Sequence, residues 1–176
     1  MCQQVIDAGG AKGYGLLGLC YADENSLVYD YGKAYDYFIA GEEEGDDFAL
    51  YGLGRCYEEG EIVKKDEGKA VEYYQKASAL GNPYANYYLG RCYYNGIGTE
   101  ASYENALECY SRAASRGHAA AIAMQGIFYE NGFGCEVDER AAFRCYERAA
   151  GLGDLTAIYN LACFYYQGTA TPQDYE

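Results

Sequence analysis

Along this chain, small and apolar residues return at helical intervals, and the whole pattern returns every 36 residues. Five segments show it: Leu17-Gly18-Leu19-Cys20-Tyr21, Leu53-Gly54-Arg55-Cys56-Tyr57, Leu89-Gly90-Arg91-Cys92-Tyr93, Gln125-Gly126-Ile127-Phe128-Tyr129 and Leu161-Ala162-Cys163-Phe164-Tyr165. Eight places before each tyrosine stands a small residue: Gly13, Ala49, Ala85, Ala121 or Ala157. Small, Leu, small and Tyr at these spacings trace one face of a helix. The small residues let a neighbouring helix approach closely. Glycine stops are expected at Gly60, Gly96, Gly132 and Gly168.

A second helix follows in each period. Asp30, Asp66, Ser102, Asp138 and Asp174 share one column, and each can accept an orphan N–H of a first turn. Apolar residues then follow on one face: Ala34-Tyr37-Phe38, Ala70-Tyr73-Tyr74, Ala106-Cys109-Tyr110 and Ala142-Cys145-Tyr146. Gly45, Gly81, Gly117 and Gly153 end this helix, and no run alternates with the period of a strand. The repeats frame as 11–46, 47–82, 83–118 and 119–154, after a remnant at 1–10 and before a truncated copy at 155–176. One helix pair cannot bury its own apolar face, so neighbours must stack. The expected fold is all-α, an α-solenoid of antiparallel helix pairs in a single domain.

The columns resemble the Sel-1-like repeat family, relatives of the tetratricopeptide repeats. The third repeat carries the resemblance most fully, in Ala85, Leu89-Gly90, Tyr93, Gly96-Ile97-Gly98, Ala106, Tyr110, Arg112-Ala113-Ala114 and Gly117. The resemblance implies a right-handed superhelical scaffold that binds other proteins along its concave face. The first repeat departs from the pattern. Glu24 replaces a loop glycine, and Gly41-Glu42-Glu43-Glu44 stands where the second helix normally carries a basic residue and two alanines. A different loop and an early end to that helix are therefore expected. Cysteine-rich secreted relatives cross-link their helices, but the corresponding columns here hold Glu42, Ser78, Ala114 and Ala150 against Tyr14, Leu50, Asn86 and Ile122.

By analogy with tetratricopeptide repeats, the inner surface is lined by Phe48, Tyr51, Arg55 and Glu58, then Tyr84, Tyr87, Arg91, Tyr94 and Asn95. Ala123, Ile127, Glu130 and Asn131 continue it, and Tyr159 and Tyr166 close it. Its tyrosines and arginines are the residue types that dominate interface energetics. The proposed partner-binding set is Phe48, Tyr51, Arg55, Tyr84, Tyr87, Arg91, Tyr94, Tyr159 and Tyr166. A plainer role competes for Arg55, an ion pair with Glu58 or Glu59 along its own helix.

Charge narrows the partner. The chain carries a formal −14, which disfavours nucleic acid and anionic membranes and favours a basic protein or peptide. Residues 11–46 hold eight acidic and two basic side chains, whereas residues 83–118 hold three of each. No apolar run is long enough to span a bilayer.

Little supports chemistry. Gly13-Tyr14-Gly15-Leu16-Leu17-Gly18 fits a dinucleotide-loop spacing, but no strand precedes it and two of its glycines occupy helix-packing columns, so no cofactor is expected. His118 is the single histidine, and no CxxC accompanies the 8 cysteines, so neither a zinc site nor an enzyme is expected. Cys20, Cys56 and Cys92 share one column, and Cys109 and Cys145 another. Neighbours in a column stand about 8–10 Å apart, beyond the roughly 7 Å a disulfide allows, so reduced core thiols and a cytoplasmic setting are expected. Cys135, in a loop, is the thiol expected to react most readily. Neither end reads as a polar cap. The chain therefore reads as a piece of a longer repeat protein, or as one whose C-terminal end associates with another copy, with poor order expected after Gly168 unless it is covered.

Overall fold

The computed structural model describes residues 13–167. Among them are helices α1 Gly13–Ala22, α2 Tyr31–Glu43, α3 Asp47–Glu59, α4 Glu67–Ala79, α5 Pro83–Asn95, α6 Tyr103–Ser115, α7 Ala119–Asn131, α8 Glu139–Gly151 and α9 Leu155–Gln167. Pairs α1–α2, α3–α4, α5–α6 and α7–α8 stack in file through α2–α3, α4–α5, α6–α7 and α8–α9. This is an α-solenoid with the period expected. The stop at Gly168, the cap at Asp174, the remnant 1–10 and the order of the chain beyond Gly168 lie outside the described residues.

The even helices begin where the capping column stands. Asp30, Asp66, Ser102 and Asp138 accept from the backbone N–H of Lys33, Lys69, Asn105 and Ala141 at 3.0, 3.0, 3.2 and 2.8 Å. A second capping column, just after each turn glycine, starts the odd helices and went unread in the sequence. Asp46, Asn82, His118 and Asp154 cap α3, α5, α7 and α9. Two of these caps also tie the start of one odd helix to the odd helix before it. Gly15 N–H donates to Asp46 at 2.8 Å, and Asn82 donates to the Asp47 carboxylate at 3.1 Å.

The core explains both small-residue columns. Ala49, Ala85, Ala121 and Ala157 are fully buried between helices. Gly18, Gly54, Gly90 and Gly126 lie under the rings of Phe38, Tyr74, Tyr110 and Tyr146, where a Cβ would stand 2.3, 2.5, 2.7 and 2.5 Å from ring carbons. Gly98 and Gly134 have positive φ, and a Cβ there would stand within 3 Å of backbone at Glu67 and Tyr103 in the preceding repeat. Ser26 and Ile62 hold the same position in the first two repeats, whose loops differ accordingly.

One expectation is corrected. Helix α2 does not end early; at 13 residues it matches α4, α6 and α8. Gly41 replaces alanine because a Cβ there would lie 2.4 Å from that of Ala49. Glu42 accepts from the Tyr73 hydroxyl at 3.2 Å and pairs with Lys76 at 3.5 Å, so the acidic run reaches across to the second repeat.

Candidate functional site

The odd helices bring part of the expected stripe into one connected cluster. Phe48, at the start of α3, lies 6.3 Å from Tyr84 at the start of α5, ring centre to ring centre. Tyr84 meets His118 edge-on at 5.3 Å, and Tyr87 stacks on the same imidazole at 4.7 Å. Tyr51 is buried against Tyr74, Tyr84 and Tyr88.

Tyr88, absent from the expected set, is the hub. Its ring carries the guanidinium of Arg55 at 4.9 Å and that of Arg91 at 5.1 Å. Each such contact is worth about 0.5–1 kcal/mol where solvent has access. Its column holds Leu16, Gly52, Met124 and Asn160 in the other repeats, so periodicity gave it no weight. That irregularity was the available signal.

The two arginines share a column but not an environment. Arg55 donates to the hydroxyls of Tyr51 at 3.3 Å and Tyr88 at 2.9 Å, and to the Glu59 carboxylate. The Glu59 pairing considered from the sequence therefore forms, and Arg55 is committed within the fold. The Arg91 side chain is 38% exposed and is held by one ion pair, to Glu58 at 3.6 Å.

The remaining expected residues separate from this cluster. Tyr94 turns into an aromatic group with Tyr103, Phe128 and Phe133. Tyr159 and Tyr166 stand apart on α9, 69% and 93% exposed.

Helix position twelve differs between repeats with a consequence for the buried rings. Glu58 accepts from the Tyr74 hydroxyl at 2.6 Å, and Glu130 from Tyr146 at 2.6 Å. In the first repeat Ala22 stands there and the buried ring is Phe38, which needs no acceptor. In the third, Tyr94 replaces the glutamate, and the buried Tyr110 hydroxyl has no hydrogen-bond partner among the described residues. Burial raises the pKa of Tyr74, Tyr110 and Tyr146, so all three remain protonated donors.

His118 serves the fold. Its Nδ1 accepts from Ala121 N–H at 3.2 Å, so the imidazole is the neutral Nε2–H tautomer, and burial lowers its pKa. The buried thiols of Cys56, Cys92 and Cys109 are pushed up by desolvation to about 11, 12 and 11. Cys20, expected among the core thiols, is instead exposed, because α1 has no preceding pair packed on it among the described residues, and Cys135 lies between the two extremes. Cys135 is half-buried, donates to Phe128 O at 3.6 Å, and burial reinforced by Asp138 raises its pKa. The glycine-rich Gly13–Gly18 segment lies in α1, with Gly15 against α3 and Gly18 against Phe38. A cleft of about 400 Å³ opens beside α1 and α3, lined in part by Asp23, Glu24, Tyr29, Arg55, Glu59 and Glu61. Among the described residues, no group of His, Cys, Asp and Glu could hold a metal, and no helix is long and apolar enough to cross a membrane.

Comparison with known proteins places this geometry. The family profile described as Sel1 repeat matches residues 11–46, 47–82, 83–118, 119–154 and 155–176. No match was found among curated proteins. A protective antigen of uropathogenic Escherichia coli strains displaying an SLR fold superposes with a TM-score of 0.80 at 28% identity, over 95% of this chain and 36% of that one. A Sel1 repeat protein from Oxalobacter formigenes gives 0.79 at 30% identity, over 94% of this chain and 67% of the other. Cysteine rich protein B of Helicobacter pylori shares the fold at 23% identity and 0.59, over 79% of this chain and all of that one. The chain thus spans little more than a third of the antigen's length.

Proposed function

Because the chain belongs to the Sel1 repeat family, whose members are generally non-catalytic protein-interaction scaffolds, we propose that it is an adaptor holding a peptide or partner protein against the odd helices. The observation that supports this most is the Tyr/Arg cluster spanning α3, α5 and the start of α7, with its half-open Arg91. Rigid rings fixed by their neighbours lose little entropy on binding, and a guanidinium held by a single long ion pair has further donors to offer. The surface centres on Phe48, Tyr84, Tyr87 and Arg91, with Tyr51, Arg55 and Tyr88 as its support. Tyr94 contributes from the neighbouring aromatic group, and Tyr159 and Tyr166 extend the contact along α9. The acidic cleft beside α1 favours a basic segment of the same partner. A reducing, cytoplasmic setting fits the buried thiols and belongs to the same proposal.

The test is a double variant, Tyr87→Ala with Arg91→Ala. Partners recovered from the native host by the parent protein should be lost, with far-UV circular dichroism unchanged. Intact binding would move the site off this face.

A second reading, a structural module that associates with copies of itself, is favoured by α9. Leu155, Tyr159 and Tyr166 there are 80%, 69% and 93% exposed. Light scattering across a concentration series tests it: growth in mass abolished by Tyr159→Ser with Tyr166→Ser supports it, and a constant monomer mass rejects it.

A further inference from the structure

The third repeat departs from its neighbours at one point, and the departure leaves a defined chemical gap. In the second and fourth repeats, the hydroxyl at the end of the buried tyrosine is answered by a carboxylate from position twelve of the odd helix, at 2.6 Å in both. In the third repeat that position is Tyr94, whose ring is drawn off to Tyr103, Phe128 and Phe133. Tyr110 keeps the hydroxyl and loses the acceptor. Its side chain is fully buried, and the oxygen has no hydrogen-bond partner among the described residues. Native folds rarely leave such a group unpaired.

Three further observations say what would fill the gap. The missing group, by comparison with Glu58 and Glu130, is a carboxylate. Arg91, on the same helix as Tyr87 and Tyr94, has a planar fork of donors that is 38% exposed, and its one ion pair, to Glu58, is long at 3.6 Å, so the guanidinium has donors left for a second carboxylate. Residues 83–118 are the electrically balanced stretch of a chain otherwise strongly acidic, so an incoming anion meets the least repulsion there.

We propose that the third repeat recognises a carboxylate of the bound peptide, held between the Arg91 guanidinium and the Tyr110 hydroxyl. The ligand's carboxylate supplies the acceptor that position twelve supplies in the repeats on either side. Because the hydroxyl is sealed in the free protein, the half-buried ring of Tyr87 or Tyr94 turns aside on binding. This rests on the inner face being the binding face. It adds a polarity to it: an anionic group at the third repeat, and a basic segment toward the acidic cleft at the first.

Three N-acetylated tripeptides separate the sources of the carboxylate. Ac-Ala-Ala-Ala with a free C-terminus carries only the terminal carboxylate. Ac-Ala-Glu-Ala-amide carries only the side-chain one, and Ac-Ala-Gln-Ala-amide carries neither. Each is titrated into protein labelled with ¹³C at tyrosine rings, with the Tyr110 and Tyr87 signals followed by NMR. The expected result is saturable shifts with one or both carboxylate peptides and none with the neutral one. Tyr110→Phe, which keeps the ring, should weaken binding about tenfold, the scale of one hydrogen bond to a charged group. Tyr94→Glu, which restores the internal acceptor, should abolish it. Equal shifts from the neutral peptide, no saturable shift, or unchanged affinity in Tyr110→Phe would overturn the proposal. The host partner keeps the two readings distinct. If Tyr87→Ala with Arg91→Ala loses that partner but Tyr110→Phe retains it with full affinity, the face stands and the carboxylate site fails. If neither variant loses it, the face itself is wrong.

Discussion

Replacing each buried tyrosine of the even helices by phenylalanine removes one oxygen and leaves the ring over its glycine. Tyr74 and Tyr146 each donate to a carboxylate at 2.6 Å. Hydrogen bonds to charged acceptors contribute about 1.5–3 kcal/mol. The Glu58 side chain is 18% exposed, whereas Glu130 is an exposed residue, so water can re-solvate the second acceptor more easily. Tyr74→Phe should therefore destabilise by about 2 kcal/mol and Tyr146→Phe by about 1 kcal/mol. Tyr110 has no partner to lose, and its buried hydroxyl costs about 1–3 kcal/mol in desolvation. Tyr110→Phe should accordingly be neutral or stabilise by about 1 kcal/mol, offset in part by the small void the oxygen leaves. Urea unfolding followed by circular dichroism reads the order. In a chain of this length, about 1 kcal/mol also moves the melting midpoint by roughly 2–4 °C. Because stacked repeats need not unfold as one unit, amide hydrogen exchange in α4, α6 and α8 should accompany it. A loss at Tyr110 equal to that at Tyr74 would refute the reasoning, because it would mean the third hydroxyl is satisfied after all.

Three more outcomes follow from named contacts. His118 caps α7 as a neutral acceptor with a lowered pKa, so below about pH 6.5 the unfolded chain takes up the proton first. Its contribution is complete above that pH and is lost as pH falls toward the folded-state pKa. His118→Asn keeps a cap and should flatten that part of the stability–pH curve measured by urea titration; an unchanged slope would assign it to other groups. Gly90→Ala and Gly126→Ala place a methyl 2.7 and 2.5 Å from a ring and should destabilise by about 1–3 kcal/mol, despite alanine's better helix propensity. A gain in melting temperature would contradict the packing. The thiols of Cys56, Cys92 and Cys109, at about 11, 12 and 11, should react with a disulfide reagent at pH 8 only after denaturation; prompt labelling of the native protein at these positions would show that they are not sealed.

The period, the helix pairs and the polar caps of the even helices were legible in the residues, because these features are the same in every repeat. Ala49 and Gly54 announce close helix approach wherever they recur, and Asp66 announces a first turn. The caps of the odd helices were equally regular, but His118 stood in their column and masked it, since its role there is to accept through Nδ1. The side chains expected to meet a partner are a different matter. Arg55 and Arg91 occupy one column, yet the first is bound to two hydroxyls and a carboxylate while the second has a single long ion pair to Glu58. Tyr51 is buried while Tyr84 is 44% exposed. Repetition reveals what each unit needs in order to stack, so the sequence alone determined the scaffold. What a given inner side chain touches depends on residues that vary from one unit to the next. Only the stacked structure could therefore decide that Tyr88 lies between two arginines and that the Tyr110 hydroxyl lacks the glutamate its neighbours have.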